Sequence, residues 1–269
     1  MRIFHTLWTR PMKPERARVT KLLYALSYHY ARQIGAQIVL HTDTAGRSLL
    51  RAIPYDEVYC DLDSIPDNIK RFWAYGKLYA TNREPLGSVH IDGDVFLKSS
   101  SLCSLFDGSC DLVTQSVEGE RWRMDYSYEI TQAALSLENL PYGLELNYPL
   151  AYNCGVVQLN NGELKERYLR AYFDTVQRCI KDADFPRRIE FLNKKYKDYG
   201  YVIPDIVPEQ QFLHQLAQGY RCREILEGDI LTDARLKGYT HLCANIKWGM
   251  GEELSRLLYN VNRKLFDTL

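Results

Sequence analysis

Short runs of β-branched and apolar residues alternate along this chain with longer segments in which apolar residues recur at helical spacing. Arg2 to Leu7 is the first such run, and Pro14 to Gln33 follows it with apolar side chains at three- and four-residue intervals. This alternation is typical of an α/β fold, where crossover helices connect the strands of one sheet. The sequence therefore predicts an α/β protein built around a central sheet.

The same alternation continues to the end of the chain. Gly35 ends the first helix, and Ser88 to Ile91 completes a βαβαβ opening. Such an opening is typical of the nucleotide-binding half of doubly wound folds. Further strands are predicted at residues 36–41, 57–60, 111–116, 152–159 and 239–242, and further helices at 68–83, 163–181, 208–218 and 252–266.

Charge and hydropathy exclude two classes of protein. The 34 Lys and Arg residues balance the 34 Asp and Glu residues, so the net charge gives no reason to expect a nucleic-acid partner. No apolar stretch reaches the length of a membrane span, and the amino terminus lacks the apolar region of a signal peptide. We therefore expect a cytoplasmic protein of one domain, without a transmembrane segment.

The segment SVHIDGDVFLKSS, residues 88–100, carries the clearest chemical signal. Asp92 and Asp94 follow an apolar strand and flank Gly93. On an extended chain the two carboxylates point the same way, and Gly93 leaves the backbone open to a ligand. Carboxylate oxygens suit a hard cation such as Mn²⁺ or Mg²⁺, which could bridge the phosphates of a nucleotide. The alternative is a surface turn, because Asp and Gly are also turn residues.

The Asp-Gly-Asp segment resembles the DxD motif of glycosyltransferases with the GT-A fold, and three later segments resemble motifs of glycosyltransferase family 8 in the same order. They are AYNCGVVQLNN at 151–161, PEQQFL at 208–213 and HLCANIKWG at 241–249. The positions that match the family motifs are Asn153, Gly155, Gln210, His241 and Lys247.

Several positions depart from the family pattern. Ala244 and Trp248 replace the usual glycine and proline, and Glu209 and Gln211 replace two aspartates. The resemblance is therefore to a remote relative, and the identity of the donor sugar does not carry over.

The resemblance implies one GT-A domain over residues 1–269, with a mixed central sheet flanked by helices. Residues 1–100 would form the nucleotide-binding half, 101–250 the acceptor and catalytic half, and 251–269 a C-terminal helix. It further implies a metal-dependent hexosyltransferase of surface glycan synthesis that moves a sugar, with retention of configuration, from a nucleotide diphosphate sugar to a hydroxyl acceptor. A UDP-sugar donor, a glycan or glycolipid acceptor and peripheral membrane association are the corresponding expectations.

The resemblance also assigns roles around the metal and the phosphates. Asp92, Asp94 and His241 would hold Mn²⁺ or Mg²⁺. Lys247, together with Lys77, would hold phosphate oxygens, because a lysine ammonium pairs with a diphosphate as a point charge.

The remaining candidates surround the donor and the acceptor. His5, Thr6 and Trp8 follow the first strand and Asp43 follows the second, at the sheet edge where a base and ribose bind in such folds. The tyrosine-rich segment 120–147 has aromatic side chains that suit stacking on an acceptor sugar.

Asn153 and Gln210 are the polar groups that the resemblance places near the reacting sugar. An inverting enzyme would instead need a carboxylate base, for which Asp125, Glu129 and Asp205 are available.

Two other functions remain open at this point. One is a catalytically idle GT-A-like module that binds a sugar nucleotide or a glycan. The other is a nucleotidyltransferase, which the sequence favours less because no glycine-rich, basic phosphate loop follows the first strand.

Overall fold

The computed structural model describes residues 1–119, 128–135, 137–196, 199–243 and 246–269. Within these ranges, seven strands form one central sheet and two short strands form a second. The strands are β1 Arg2–Leu7, β2 Gln37–Thr42, β3 Glu57–Tyr59, β4 Val89–Ile91, β5 Val95–Leu97, β6 Leu112–Glu118, β7 Ala151–Leu159, β8 Cys222–Glu224 and β9 Tyr239–His241.

The central sheet has the order β3-β2-β1-β4-β7-β6-β8, and β5 pairs with β9 in the small sheet. Strands β1, β2, β3 and β4 run parallel to their neighbours within this group. Strand β7 is antiparallel to both β4 and β6, whereas β8 is again parallel to β6. The prediction of an α/β fold with a mixed central sheet is confirmed.

Helices connect the strands and cover both faces of the sheet. They are α1 Ala17–Gln33, α2 Thr44–Leu49, α3 Tyr75–Arg83, α4 Tyr128–Leu135, α5 Gly162–Lys181, α6 Phe185–Tyr196, α7 Tyr199–Ile206, α8 Phe212–Leu216, α9 Ile230–Lys237, α10 Gly251–Val261 and α11 Arg263–Thr268. A π-helical segment, Val207–Gln211, joins α7 to α8.

Two apolar cores lie on opposite faces of the sheet. One joins α1 and α10 through side chains such as Leu22 and Leu258, and the other joins α3 and α5 through side chains such as Leu78 and Tyr172. The C-terminal helices thus pack against α1. None of the helices in the described ranges has the length and apolar character that a bilayer crossing requires.

A buried ionic network ties β1, β2 and α3 together. Glu84, at the end of α3, accepts hydrogen bonds from Arg2 at 2.7 Å and from His41 Nε2 at 2.9 Å. The other ring nitrogen of His41 lies 2.8 Å from Asp61, and Arg2 also pairs with Glu57. Each charge in this network therefore has an opposite charge beside it.

Three helices differ from the sequence-based expectation. The helix predicted at 68–83 is regular only in α3, because the residues before it form tighter three-residue turns, with Lys70 N donating to Asp67 O at 3.2 Å and Phe72 N to Ile69 O at 2.8 Å. The helix predicted at 208–218 begins with the π-helical segment, whose Pro208 has no amide hydrogen for α-helical pairing. Asn262 divides the predicted terminal helix by capping α11 through Leu265 N.

Candidate active site

Polar side chains collect at one edge of the central sheet. Here the parallel strands β1, β2, β4 and β6 end and the antiparallel strand β7 begins. Asp43, Asp92 and Glu118 lie at or just beyond strand ends, and Asn153 lies near the start of β7. In open α/β sheets, ligands bind in the crevice outside this edge.

The Asp-Gly-Asp segment is a turn between β4 and β5. Val95 N donates to Asp92 O at 3.0 Å, and Asp92 N donates to Gly155 O at 2.8 Å. The expectation of an extended chain through both carboxylates is therefore wrong. The ring of Tyr24 fills the space beside Gly93. The missing side chain of this glycine therefore makes room for Tyr24 rather than for a ligand.

His241 reaches this turn through the small sheet. Strand β9 pairs with β5 so that His241 lies opposite Val95, and Leu242 N donates to Asp94 O at 3.1 Å. His241 Nε2 consequently lies 3.5 Å from Asp94 Oδ1. One ligand atom from each of Asp92, Asp94 and His241 lies within 4.8 Å of the others.

Two lysines neutralise the aspartates. Lys77 Nζ lies 3.1 Å from Asp92 Oδ1, donates to Glu209 Oε1 at 2.6 Å and donates to Cys154 O at 2.8 Å. Lys247 Nζ contacts Asp94 Oδ2. The ammonium group of Lys77 thus uses its donors within the protein, whereas Lys247 makes one close ionic contact at the site.

The opposite charges shift the titration of the cluster. Burial alone would raise the pKa of Asp94, but His241 and Lys247 outweigh burial and lower it. Burial alone would lower the pKa of His241, but its hydrogen bond and attraction to Asp94 raise it to about 10. Asp94 is therefore ionised at neutral pH, and the carboxylate oxygens of the cluster are ligands that suit a hard cation.

Strand β7 forms the floor of this cluster. A Cβ atom at Gly155 would lie 2.6 Å from Cε1 of His241 and 2.8 Å from Oε1 of Gln115. Only a residue without a side chain allows the imidazole to lie against the strand. The glycine of the motif is thus required by packing around His241.

The two amide side chains predicted near the reacting sugar have different surroundings. Asn153 Nδ2 donates to Glu118 Oε1 at 2.8 Å, and Asn153 Oδ1 accepts Gly155 N at 3.1 Å. Gln210 lies in the π-helical segment, and its buried Oε1 has no hydrogen-bond partner among the described residues. Its neighbour Glu209 is the residue of that segment that bonds to Lys77.

The candidates expected after the first strand do not form one surface, because His5 and Thr6 lie within β1 and Trp8 follows it. His5 is fully buried, with hydrogen bonds of 3.0 Å to Tyr55 and Ser27. Burial lowers the pKa of His5 to about 3. Thr6 Oγ1 and Trp8 Nε1 are buried atoms that lack a partner in the described part of the chain.

Asp43 has a structural task in this region. Its carboxylate caps α2 by accepting Gly46 N at 2.7 Å and holds the loop after β1 by accepting Thr9 N at 2.9 Å. Its oxygens therefore have protein partners.

The carboxylates considered for an inverting base are placed differently. Asp205 is completely buried and accepts hydrogen bonds from Trp73 N at 2.7 Å and the hydroxyl of Tyr172 at 2.9 Å. Both of its oxygens therefore have protein partners, and it holds the chain just before α3. Glu129 belongs to α4, and Asp125 lies outside the described residues.

Sequence reasoning assigned no role to Gln115 or Glu118, and it named Glu209 only as a departure from a motif. Gln115 and Glu118 belong to β6, which also contains the polar residues Thr114 and Ser116, so no local pattern sets them apart. The contact between Glu209 and Lys77 joins residues 132 positions apart, and no local signal predicts it.

Three solved structures of glycosyltransferases align with this chain. A galactosyltransferase, LgtC, in complex with donor and acceptor sugar analogues aligns over 100% of both chains, with 14% identity and a TM-score of 0.45. An active-site mutant of LgtC aligns over 96% of both chains, also with 14% identity and a TM-score of 0.45. The apo form of mouse xyloside xylosyltransferase 1 aligns over 80% of both chains, with 14% identity and a TM-score of 0.37.

Sequence comparison adds a family and no activity. No curated protein matches the chain significantly. A family model, described as a family of unknown function, DUF6734, matches residues 1–225. The matched segment includes Asp92 and Asp94, whereas His241 and Lys247 lie beyond it. Because the match spans most of the sequence, the chain belongs to the DUF6734 family.

Proposed function

We propose that this protein is a metal-dependent glycosyltransferase. It would move a sugar from a nucleotide diphosphate sugar, such as a UDP-sugar, to a hydroxyl group of a glycan or glycolipid acceptor in surface glycan synthesis. The observation that carries the proposal is the convergence of Asp92, Asp94 and His241 within 4.8 Å, at the sheet edge where nucleotides bind in α/β folds.

The donor set fits Mn²⁺ or Mg²⁺. Two carboxylates supply hard oxygen ligands, and an imidazole supplies a nitrogen that Mn²⁺ accepts. The side chain of Asp92 is 33% exposed, whereas those of Asp94 and His241 are 8% and 11% exposed, so the cluster opens to solvent on the Asp92 side. A cation held there would bind diphosphate oxygens and offset the negative charge of the leaving group.

Two lysine side chains would also help to offset the negative charges of the carboxylates and the phosphates. Lys247 contacts Asp94, and an ammonium released from that carboxylate could bind a phosphate oxygen. Lys77, in contrast, bonds to Glu209 and Cys154 O, so we assign it the task of holding Asp92 in place.

Transfer with retention is the reaction that we propose for the sugar. Asn153 and Gln210 would orient the donor sugar through their amide groups. Glu118 Oε1 accepts a hydrogen bond of 2.8 Å from the amide nitrogen of Asn153. It would orient Asn153 toward the sugar.

Thermal unfolding in the presence of ligands tests the donor site. We expect UDP or UDP-sugars with Mn²⁺ to raise the melting temperature, and a chelator to abolish the shift, because a ligand that binds the folded state stabilises it. GDP compounds with the same metals show which base is preferred. A protein that responds to no nucleotide under any metal would be a glycan-binding or idle domain.

Substitution of the cluster tests the metal and the activity together. In Asp94→Asn we expect the loss of Mn²⁺ binding by calorimetry and of sugar transfer by product analysis, because one ligand charge disappears. The matched control is Asp174→Asn, which changes an exposed carboxylate on α5. Full metal-dependent transfer by Asp94→Asn would rule out this cluster as the metal site.

A further inference from the structure

Gln115 lies behind the cluster of Asp92, Asp94 and His241, where the pairing of β6 with β7 is irregular. The pairing register of β6 with β7 shifts between Thr114 and Ser116, so the intervening Gln115 has no regular partner on β7. Its side chain lies next to Gly155, and the residue is 4% exposed. The bulge therefore directs a buried amide toward the space occupied by the imidazole of His241.

The oxygen of this amide has two partners on β9. Gln115 Oε1 lies 2.7 Å from His241 Nδ1 and accepts the hydroxyl of Tyr239 at 2.6 Å. A carbonyl oxygen can only accept, so the Nδ1 atom of His241 must carry a proton. The other nitrogen, Nε2, faces Asp94 at 3.5 Å.

We propose that Gln115, held by Tyr239, is a positioning residue that keeps the proton on Nδ1 of His241 and directs Nε2 toward the cation. The inference rests on the proposed function, because it needs a cation at Asp92 and Asp94. Metal-bound histidines in proteins commonly donate their second ring nitrogen to a fixed acceptor, which sets the tautomer and the orientation of the ring.

Two features make this contact more than ordinary packing. Tyr239 and His241 are alternate residues of β9, so one amide oxygen fixes both side chains on the same face of that strand. Gly155 leaves open the space in which the amide and the imidazole meet. The irregular pairing at Gln115, the missing side chain of Gly155 and the hydroxyl of Tyr239 thus all help to hold the imidazole of His241 in place.

Nuclear magnetic resonance of the wild-type protein tests the assignment directly. In protein labelled with ¹⁵N-histidine, we expect Zn²⁺, a diamagnetic cation, to shift the Nε2 signal of His241 while Nδ1 stays protonated. A His241→Ala variant identifies the signals among the six histidines. Binding of Zn²⁺ through Nδ1 would overturn the proposal.

Matched variants of Gln115 measure the contribution to binding. We expect Gln115→Met, which removes the acceptor at similar length, to weaken Mn²⁺ binding by about 10- to 100-fold in calorimetry. Gln115→Glu keeps the acceptor and should bind Mn²⁺ at least as tightly as the wild type. Wild-type affinity in Gln115→Met, or equal loss in both variants, would contradict the proposal.

The outcomes separate this inference from the proposed function. If the wild type binds Mn²⁺ and Gln115→Met binds it equally well, only the role of Gln115 is lost. If the wild type binds neither Mn²⁺ nor Zn²⁺, the metal is removed from the proposed function and the role of Gln115 is lost with it. If Gln115→Met does not fold, the nitrogen signals of the wild type still decide the assignment.

Discussion

Gly155 shows how strongly one residue can depend on a distant segment. Its missing side chain leaves room for the imidazole of His241, which comes from the last part of the chain. The amide of Asp92 donates to the carbonyl of the same glycine at 2.8 Å. A single position of β7 therefore supports two of the three proposed ligands.

At this scale we predict that Gly155→Ala weakens Mn²⁺ binding by about 10- to 100-fold, because the new methyl group would displace the ring of His241. Calorimetry measures the effect. The control is Gly162→Ala, whose added Cβ would meet Leu86 at an ordinary 3.5 Å. Equal affinity in the two variants would show that His241 does not bind the metal in its present position.

Local signals in the sequence mark some of the residues that the structure brings together. The Asp92 and Asp94 pair and the polar end of β7 are visible in short motifs. The hydrogen bonds of Gln115 to β9 are not, because they join residues 124 and 126 positions apart. Burial of His5 was missed because a histidine after a strand start is ambiguous between core and site.

Among the elements, the π-helical segment and α3 form the support of the site. Lys77 on α3 and Glu209 in the π-helical segment are joined at 2.6 Å, with their side chains only 10% and 1% exposed. Burial by itself would lower the pKa of Lys77, but Asp92 and Glu209 outweigh this and raise it. Segments of π-helix occur often at functional sites.

We predict that Lys77→Met lowers the free energy of unfolding by about 3–5 kcal/mol, because Glu209 then keeps a buried charge without its partner. Urea denaturation measures the loss. The control is Lys194→Met, which breaks an ion pair with Glu190 whose side chains are 76% and 67% exposed. That change should cost about 0–1 kcal/mol, and similar losses in both variants would refute a structural role for the buried pair.

Sequence patterns located most elements but not their irregular parts. Hydrophobic spacing predicted α1 and α5 with nearly correct bounds. It missed β5, whose three residues are too short for a periodic pattern, although this strand carries the pairing that places His241. Pro208 could have indicated that the helix after α7 is irregular.

For the whole molecule, the network around Glu84 joins the first strand to the helix that follows β3. Burial alone would raise the pKa of Glu84, but hydrogen bonds from His41, Arg2 and Ser88 lower it to about 2. Burial alone would lower the pKa of His41, but its bonds to Asp61 and Glu84 raise it. Glu84 and His41 are thus both charged at mildly acidic pH.

We predict a stability loss on acidification that depends on Glu84. A carboxyl with a lowered pKa stabilises the fold above its unfolded value of about 4.3, and this contribution disappears as the pH falls toward 2. Urea denaturation should show a smaller change in stability between pH 5 and pH 2.5 in Glu84→Gln than in the wild type, with a lower value for the variant at pH 6. Parallel curves for the two proteins would contradict this role.

The raised pKa of His41 makes the stability of the fold depend on pH in the opposite direction to that of Glu84. Its contribution is complete below the unfolded value of about 6.5 and decreases as the pH rises through the folded value. We therefore expect His41→Gln to lose less stability than the wild type on going from pH 6 to pH 9, as measured by the same unfolding method. A larger loss in the variant would show that His41 is neutral in the folded protein.

The pairing of β5 with β9 brings two distant parts of the chain together at the site. Contacts such as that between Lys247 and Asp94 join residues 153 positions apart. A cation shared by the turn after β4 and by His241 would therefore act as a reversible cross-link that closes a long loop of the chain. Binding of Mn²⁺ should then slow proteolytic release of the carboxy-terminal segment. The bound ion would therefore stabilise the attachment of that segment to the domain, in addition to its proposed part in sugar transfer.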